Sequence, residues 1–207
     1  MKKTTVIVTV ILIVIVTALV GYYAFLSGKA RTAAEESAAT PTQLVLNKDL
    51  QKDYPATPKE VVKFYTDIEK CLYNEDCTEE EIEQLGMKAR ELYDEELLEN
   101  NEVGTYLVRL KQEVKDFKDN KKRMTGANVA ASANVDFFSE DGFDFARIYC
   151  GYTIRDANGS AGIGQVYLLR RDENRRWKIY GWASSDKVNP GQENTTASSA
   201  EGQTGEN

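Results

Sequence analysis

Residues 143–183 read FDFARIYCGYTIRDANGSAGIGQVYLLRRDENRRWKIYGWA, and they decide the fold class because they describe consecutive strands joined by turns. The predicted strands span residues 143–155, 163–170 and 176–183, where β-branched and aromatic residues are frequent. Asn158-Gly159 and Asp172-Glu173-Asn174 supply turn signals between them. Short connections of this kind predict that neighbouring strands are antiparallel.

A fourth predicted strand precedes this stretch. Apolar or small residues alternate with others from Val129 to Phe137, which is the period of a strand. Asp141-Gly142 then provides a favoured two-residue hairpin turn. The four strands form an antiparallel meander, one face of which needs a covering layer.

Three amphipathic helices are predicted before the strands. Thr57 and Thr78 each stand three residues before a glutamate, Glu60 and Glu81, which is the pattern of a capping box. A third helix is predicted over about residues 105–121 from apolar positions at three- and four-residue steps. The predicted fold is α+β, with three N-terminal helices packed on a curved four-stranded antiparallel sheet over residues 55–186.

The amino-terminal run, residues 4–28, is uncharged and rich in Val, Ile and Leu. A run of about 20 apolar residues is long enough for a helix to span a bilayer. It predicts one transmembrane helix, a signal anchor, preceding the α+β domain; a cleaved secretory signal is the alternative, with a usually shorter apolar core. Lys2 and Lys3 favour a cytoplasmic stub of residues 1–3 and a domain outside the cell membrane, although Lys29 and Arg31 weaken the asymmetry.

The segments on either side of the domain lack a core-forming pattern. Residues 29–54 are predicted to be a spacer, since their first half is rich in Ala, Thr, Ser and Glu. Residues 187–207 are predicted to be a disordered tail.

Composition limits the classes of function. The chain carries a net charge of −7, so nucleic acid is not an expected partner. It contains no histidine, which removes the commonest general base and the usual catalytic triads and zinc sites. No cofactor or metal site is predicted.

The order of elements, helices first and then a sheet closing on Arg176-Trp177-Lys178-Ile179-Tyr180-Gly181-Trp182, resembles the nuclear-transport-factor-two-like (ketosteroid-isomerase-like) superfamily. The resemblance implies that the helices and sheet form a cone. It implies no catalytic residue, because no enzymatic motif of the superfamily matches. Residues 48–62 are similar to a segment of uncharacterised membrane-anchored proteins of Gram-positive bacteria, which implies a location and no activity.

The cysteines suggest a structural role. Cys71 and Cys77 lie at the predicted turn between two helices, where a disulfide is favoured outside the membrane; two thiols are the alternative. Cys150 is predicted to be a buried, small apolar residue.

Charged clusters are interpreted as solvated surface. The acidic residues 75–83 lack the spacing of a calcium loop. Arg170-Arg171 and Arg175-Arg176 flank a hairpin, where they either converge on an anion or protect an edge.

The long strand carries two apolar faces, so both are expected to be at least partly covered. One face supplies a candidate partner interface, namely Phe143, Phe145, Arg147 and Tyr149. The inner candidates for a ligand pocket are Tyr65, Asp136, Tyr149, Tyr152 and Tyr167, with core tyrosines as the alternative reading.

Two functions remain open from the sequence. The first is a membrane-anchored extracytoplasmic interaction or assembly domain without catalysis, which contacts a protein partner or a second copy through its sheet. The alternative is a pocket protein that binds a small apolar ligand, in the manner of ketosteroid isomerase. An open cavity containing a carboxyl with a strongly shifted pKa would favour the pocket.

Overall fold

The computed structural model describes residues 39–186. Two units divide the chain, Met1–Leu44 and Val45–Asn207. Helix α1 (Pro41–Asn47) crosses this division, and Thr40 and Gln43 cap its start reciprocally. The predicted stub, anchor and tail lie outside the described residues. Between residues 39 and 186, no helix is long and apolar enough to cross a membrane.

Four helices of the second unit precede its sheet: α2 (Pro58–Asn74), α3 (Glu79–Arg90), α4 (Glu95–Glu99) and α5 (Val103–Asp119). Both predicted capping boxes are present, because Thr57 and Thr78 accept from the backbone N–H of Glu60 and Glu81 while each glutamate side chain accepts in return. These caps satisfy backbone donors that the first turn of a helix leaves open. The starts of α2 and α3 are therefore confirmed.

The sheet contains five antiparallel strands among the described residues: β1 (Arg123–Val129), β2 (Asp136–Glu140), β3 (Phe143–Asp156), β4 (Gly159–Arg171) and β5 (Trp177–Ser185). The strand order is β1-β3-β4-β5. β2 pairs with the first part of β3, residues 143–147, while β1 pairs with residues 150–155. Both short strands thus lie along the same edge of β3.

The α+β class is confirmed, whereas the predicted numbers of helices and strands were wrong. The single strand expected from Val129 to Phe137 is two strands, β1 and β2, separated by a 3-10 turn at Ser132–Asn134. Residues 130–134 are Ala, Ser and Asn, which have little strand preference. α1 lies within the predicted spacer, and α4 was also missed; helices of seven and five residues are too short to show a clear helical period.

One face of the sheet packs on the helices. On β3, Ala146, Ile148, Cys150 and Tyr152 alternate inward and are buried, and Tyr167, Leu169 and Ile179 continue this layer on β4 and β5. The opposite face of β3 is only partly covered, and Phe143 is 47% exposed. The two faces therefore differ more than the sequence suggests.

A β-bulge in β5 redirects its second tryptophan. Trp177 and Trp182 are five residues apart, so a regular strand would place them on opposite faces. The register shifts at Leu168/Leu169, so that Ile179 lies opposite Leu169 and Trp182 lies opposite Tyr167. The extra residue brings Trp182 onto the same face as the buried Tyr167.

Candidate functional site

A cavity of about 580 Å³ lies between the helices and the inner face of the sheet. Helices α2, α3, α4 and α5 and strands β1, β3, β4 and β5 all contribute to its lining. One third of its lining residues are aromatic, namely Tyr65, Tyr73, Tyr93, Tyr106, Phe117, Tyr152 and Trp182. A larger depression, about 1030 Å³, lies along α5 but is open to solvent and lined only by residues 102–122, so it lacks enclosing walls.

Glu69 is the carboxyl that faces this cavity from the middle of α2. It hydrogen-bonds Tyr152, whose hydroxyl lies 2.8 Å from Glu69 Oε2. The Tyr152 hydroxyl in turn lies 2.6 Å from that of Tyr167, and the Tyr167 hydroxyl lies 2.7 Å from Gln165 Oε1. Glu69, Tyr152, Tyr167 and Gln165 form one continuous chain, which we call the carboxyl–tyrosine chain.

The carboxyl–tyrosine chain has three contacts that each need a proton. With Glu69 ionised and Gln165 accepting through Oε1, Tyr152 donates to Glu69 and Tyr167 donates to Gln165, so no proton is left for the 2.6 Å contact between the phenols. A proton on Glu69 supplies the missing donor, since Glu69 then donates to Tyr152 and Tyr152 to Tyr167. The geometry therefore fits a neutral Glu69.

Electrostatics agree with the neutral form. Burial raises the pKa of the Glu69 carboxyl to about 8, against the hydrogen bond from Tyr152, which lowers it, and Glu113 adds a smaller upward contribution. Burial also raises the pKa of Tyr152 and of Tyr167 well above the usual value for a phenol. A carboxyl that titrates near neutral pH inside a cavity is typical of a binding or catalytic position.

Four aromatic rings form a continuous wall beside the carboxyl–tyrosine chain. The centroid of Tyr65 lies 6.0 Å from that of Tyr93, 5.9 Å from that of Tyr167 and 6.0 Å from that of Trp182. Tyr65, Tyr93 and Tyr167 are buried, whereas Trp182 is 43% exposed. The rings contact one another, and three of them, Tyr65, Tyr93 and Trp182, line the cavity.

The rim of the cavity carries further polar groups. Tyr73 donates to Glu113 Oε1, and Arg109 Nη2 donates to Asn101 Oδ1 at 2.8 Å. Burial, followed by the proximity of Glu113, raises the pKa of Tyr73. The rim thus presents a carboxyl and a guanidinium, while the deeper polar group is Glu69.

Three of the five predicted pocket residues lie at this site. Tyr65 and Tyr152 line the cavity, and Tyr167 lies behind Tyr152 as its hydrogen-bond partner. Asp136 is exposed on β2, where its carboxylate pairs with Arg147 at 3.3 Å. Tyr149 is on the face of β3 opposite to Tyr152. The structure therefore separates Asp136 and Tyr149 from the cavity.

The sequence prediction missed Glu69, Tyr73, Tyr93 and Trp182. Glu69 and Tyr73 follow Tyr65 at steps of four residues along α2, so all three lie on one helix face. This spacing is visible in the sequence and could have placed Glu69 and Tyr73 beside Tyr65. Tyr93 follows α3, and its position is fixed by backbone hydrogen bonds of Leu92 and Asp94 with Ile179. No local sequence pattern predicts this pairing.

The predicted interface residues Phe143, Phe145 and Arg147 lie on the outer face of β3. Phe145 stacks on Phe138 with ring centroids 5.5 Å apart, and the Arg147 guanidinium lies 5.3 Å from the centroid of the Phe138 ring. We call Phe138, Phe143, Phe145, Arg147 and Tyr180 the outer aromatic surface. Tyr149 is half-buried on the same face of β3.

Cys71 and Cys77 lie next to each other at the turn between α2 and α3, where Cys77 Sγ is 3.4 Å from the carbonyl oxygen of Cys71. Their predicted disulfide stays a prediction. Cys150 is fully buried on β3, and burial raises the pKa of its thiol to about 11. This environment suits the predicted apolar role.

The arginines at the β4–β5 hairpin do not form a common anion site. Arg170 binds Asp94 and Glu96, and the Arg176 guanidinium donates to the carbonyl oxygen of Gln51. Arg171 Nη1 lies 4.0 Å from Asp144. Within residues 39–186, no group of three or more cysteine, aspartate or glutamate side chains is placed to hold a metal ion.

Comparison with known proteins gives a family without an activity. No curated protein matches the chain. The model of the family described as "Domain of unknown function (DUF6715)" matches residues 1–182, which include the predicted anchor and nearly all of the described residues. The chain belongs to the DUF6715 family.

Proposed function

We propose that the domain binds a small, mainly apolar molecule in the central cavity. The volume of about 580 Å³ lies within the range of small-molecule sites, and the wall is aromatic with a few polar groups that converge near Glu69. The observation that carries the proposal is this concave space between the helices and the sheet, with its mixed aromatic and carboxyl lining.

The proposal is tested by narrowing the mouth of the cavity. Ile163 lines the cavity and is 45% exposed, so a larger side chain at this position can be accommodated without disrupting the core. We expect Ile163→Trp to weaken the binding of 2-phenylethanol, measured by isothermal titration calorimetry on the full chain, and Ile163→Val to leave it unchanged. If both variants bind 2-phenylethanol equally well, the cavity is not the binding site.

We also propose the setting of this site. Residues 4–28 support a single membrane anchor with the amino terminus in the cytoplasm, which would hold the domain outside the cell membrane. The order of helices and strands around a cavity supports membership of the nuclear-transport-factor-two-like superfamily. Protease added to intact cells should degrade the domain; a fully protected domain would reverse the topology.

A second candidate function is the binding of a protein partner, or of a second copy, through the outer aromatic surface. The specific observation is exposure, since Phe143 is 47% exposed and Arg147, on the same face of β3, is also exposed. Exposed aromatic side chains beside an arginine are enriched in protein interfaces. We expect Phe143→Ser to lower the molar mass of any assembly seen by light scattering. An unchanged mass would exclude a homodimer through this surface.

A further inference from the structure

We infer that the cavity selects organic cations, that is, molecules that carry an amine or quaternary ammonium group on an apolar body. The inference deepens the proposed function and rests on it. It follows from the charge and the composition of the lining: a half-buried carboxyl, Glu69, an exposed carboxyl, Glu113, and aromatic side chains of the same cavity.

Neither cavity carboxyl forms an ion pair among the described residues. Among residues 39–186, no lysine or arginine nitrogen lies within 4 Å of Glu69 or Glu113. Lys70, which follows Glu69 on α2, pairs with Asp67 at 3.0 Å instead. Arg109 is the only basic residue of the described lining, and it lies at the rim with its guanidinium on Asn101. A cation that enters the cavity supplies the charge that the protein omits.

The aromatic wall favours the same ligand. The faces of tyrosine and tryptophan rings are electron-rich and attract cations, most strongly where water is excluded. Tyr65 and Trp182 belong to the wall that lines the same cavity as Glu69. An anion would gain nothing from a neutral Glu69 and would be repelled by the Glu113 carboxylate, and a neutral molecule would gain only from the apolar surface. The cation is the one class that gains from all three features.

The carboxyl–tyrosine chain can accept the change of charge. When a cation enters, Glu69 loses its proton, and Tyr152 donates to Glu69 while Tyr167 donates to Tyr152. Rotation of the Gln165 amide by half a turn then presents Nε2 as the donor to Tyr167. Every contact of the chain keeps one proton in both states, so ionisation of Glu69 leaves no buried polar group without a partner.

Proton release is the signature of this coupling. The charged and titratable groups that influence Glu69 or share its surroundings come from several elements: Lys70, Tyr65 and Tyr73 on α2, Glu113 on α5, Tyr152 and Cys150 on β3, Tyr167 on β4, and Tyr93 after α3. Of these, Glu69 is the group whose pKa, about 8, brings its titration near neutral pH. Binding of a cation at pH 7 should therefore release about 0.9 proton, and binding of a neutral molecule none.

The test uses two probes of similar size, phenethylamine and 2-phenylethanol, with the full chain in lipid nanodiscs and empty nanodiscs as the blank. Between pH 6 and pH 8 phenethylamine stays protonated. Its affinity should rise about tenfold from pH 6 to pH 7 and about fivefold from pH 7 to pH 8, because Glu69 ionises more easily as the pH rises. The affinity for 2-phenylethanol should stay constant over the same range. Isothermal titration calorimetry in buffers of different ionisation enthalpy gives both the affinity and the proton release.

Variants separate the charge from the shape of the site. Glu69→Gln keeps the hydrogen-bonding shape and should remove both the pH dependence of phenethylamine binding and the proton release. Glu99 is an exposed glutamate of α4, so Glu99→Gln is the matched control. It should change neither the pH dependence of binding nor the proton release. Equal affinities for the two probes, or a stronger affinity for the alcohol, would overturn the cation inference and leave the cavity function standing. If neither probe binds, the proposed function and the inference both fall.

Discussion

The hydroxyl oxygens of Tyr152 and Tyr167 lie 2.6 Å apart behind the cavity wall, and each phenol has a second partner, Glu69 or Gln165. Removing one hydroxyl leaves buried groups without a hydrogen bond. We expect Tyr167→Phe to lower the free energy of unfolding by about 1–3 kcal/mol.

Tyr180→Phe is the control for this change, because its hydroxyl binds the exposed Glu96 at 2.8 Å and water can replace that contact. Its cost should stay below about 1 kcal/mol. Urea denaturation of the full chain, followed by circular dichroism, compares the two variants. Equal costs would show that the buried contact contributes no more than the exposed one.

The pKa of Glu69 makes stability depend on pH. The value is raised to about 8 in the folded protein, from 4.5 as the reference for an unfolded chain, so the folded state holds a proton that the unfolded state has lost. The contribution of this proton is fully present below about pH 4.5 and is lost as the pH rises toward 8. The loss is at most about 1.4 kcal/mol per pH unit.

Glu69→Gln removes this titration. The variant should gain stability relative to the natural chain at each step from pH 5 to pH 7.5, by roughly 1 kcal/mol per unit. Denaturation midpoints at four pH values measure the difference. Parallel curves for the two proteins would mean that Glu69 titrates with an ordinary pKa.

How far the sequence predicts this site depends on the kind of signal. Tyr65, Tyr152 and Tyr167 were predicted because aromatic residues at inward positions of helices and strands show in the local period. Glu69 was missed because a glutamate between Asp67 and Lys70 looks like part of a solvated helix face. Only tertiary packing places it against Tyr152.

The fold shows the same division between local and tertiary information. The capping boxes at Thr57 and Thr78 and the turn at Asp141-Gly142 are local, and all three were predicted correctly. At Asp141 and Gly142 the φ angles are 50° and 82°, which is the left-handed region that this turn requires. The position of Trp182 depends on a β-bulge opposite Leu168, which no local sequence pattern predicts.

Cys71 and Cys77 provide a prediction that is independent of the cavity. Cys77 Sγ lies 3.4 Å from the Cys71 carbonyl oxygen, so the two residues are neighbours at the turn between α2 and α3. We expect mild oxidation to form the disulfide and to raise the free energy of unfolding by about 2–3 kcal/mol, as for other short loops. Mass spectrometry after alkylation detects the bond, and Cys150→Ala excludes the third cysteine. Alkylation of both residues after oxidation would count against the pairing.

The ion pair between Arg170 and Asp94 is nearly buried, so we expect the loss of one of its charges to lower the stability of the fold. Arg170 binds Asp94 through Nε at 3.0 Å and Nη2 at 2.5 Å, and the two side chains are only 13% and 5% exposed. Asp94 also accepts from the backbone N–H of Glu96, which caps α4. Asp94→Ala removes both interactions and leaves Arg170 with Glu96 as its remaining acidic partner, so we expect a loss of about 2–4 kcal/mol. Lys115→Ala breaks the exposed pair with Asp119, at 2.5 Å, and should cost less than about 0.5 kcal/mol. Thermal unfolding of both variants measures the two stability losses. If Asp94→Ala costs as little as Lys115→Ala, the short distances between Asp94 and Arg170 do not translate into stability.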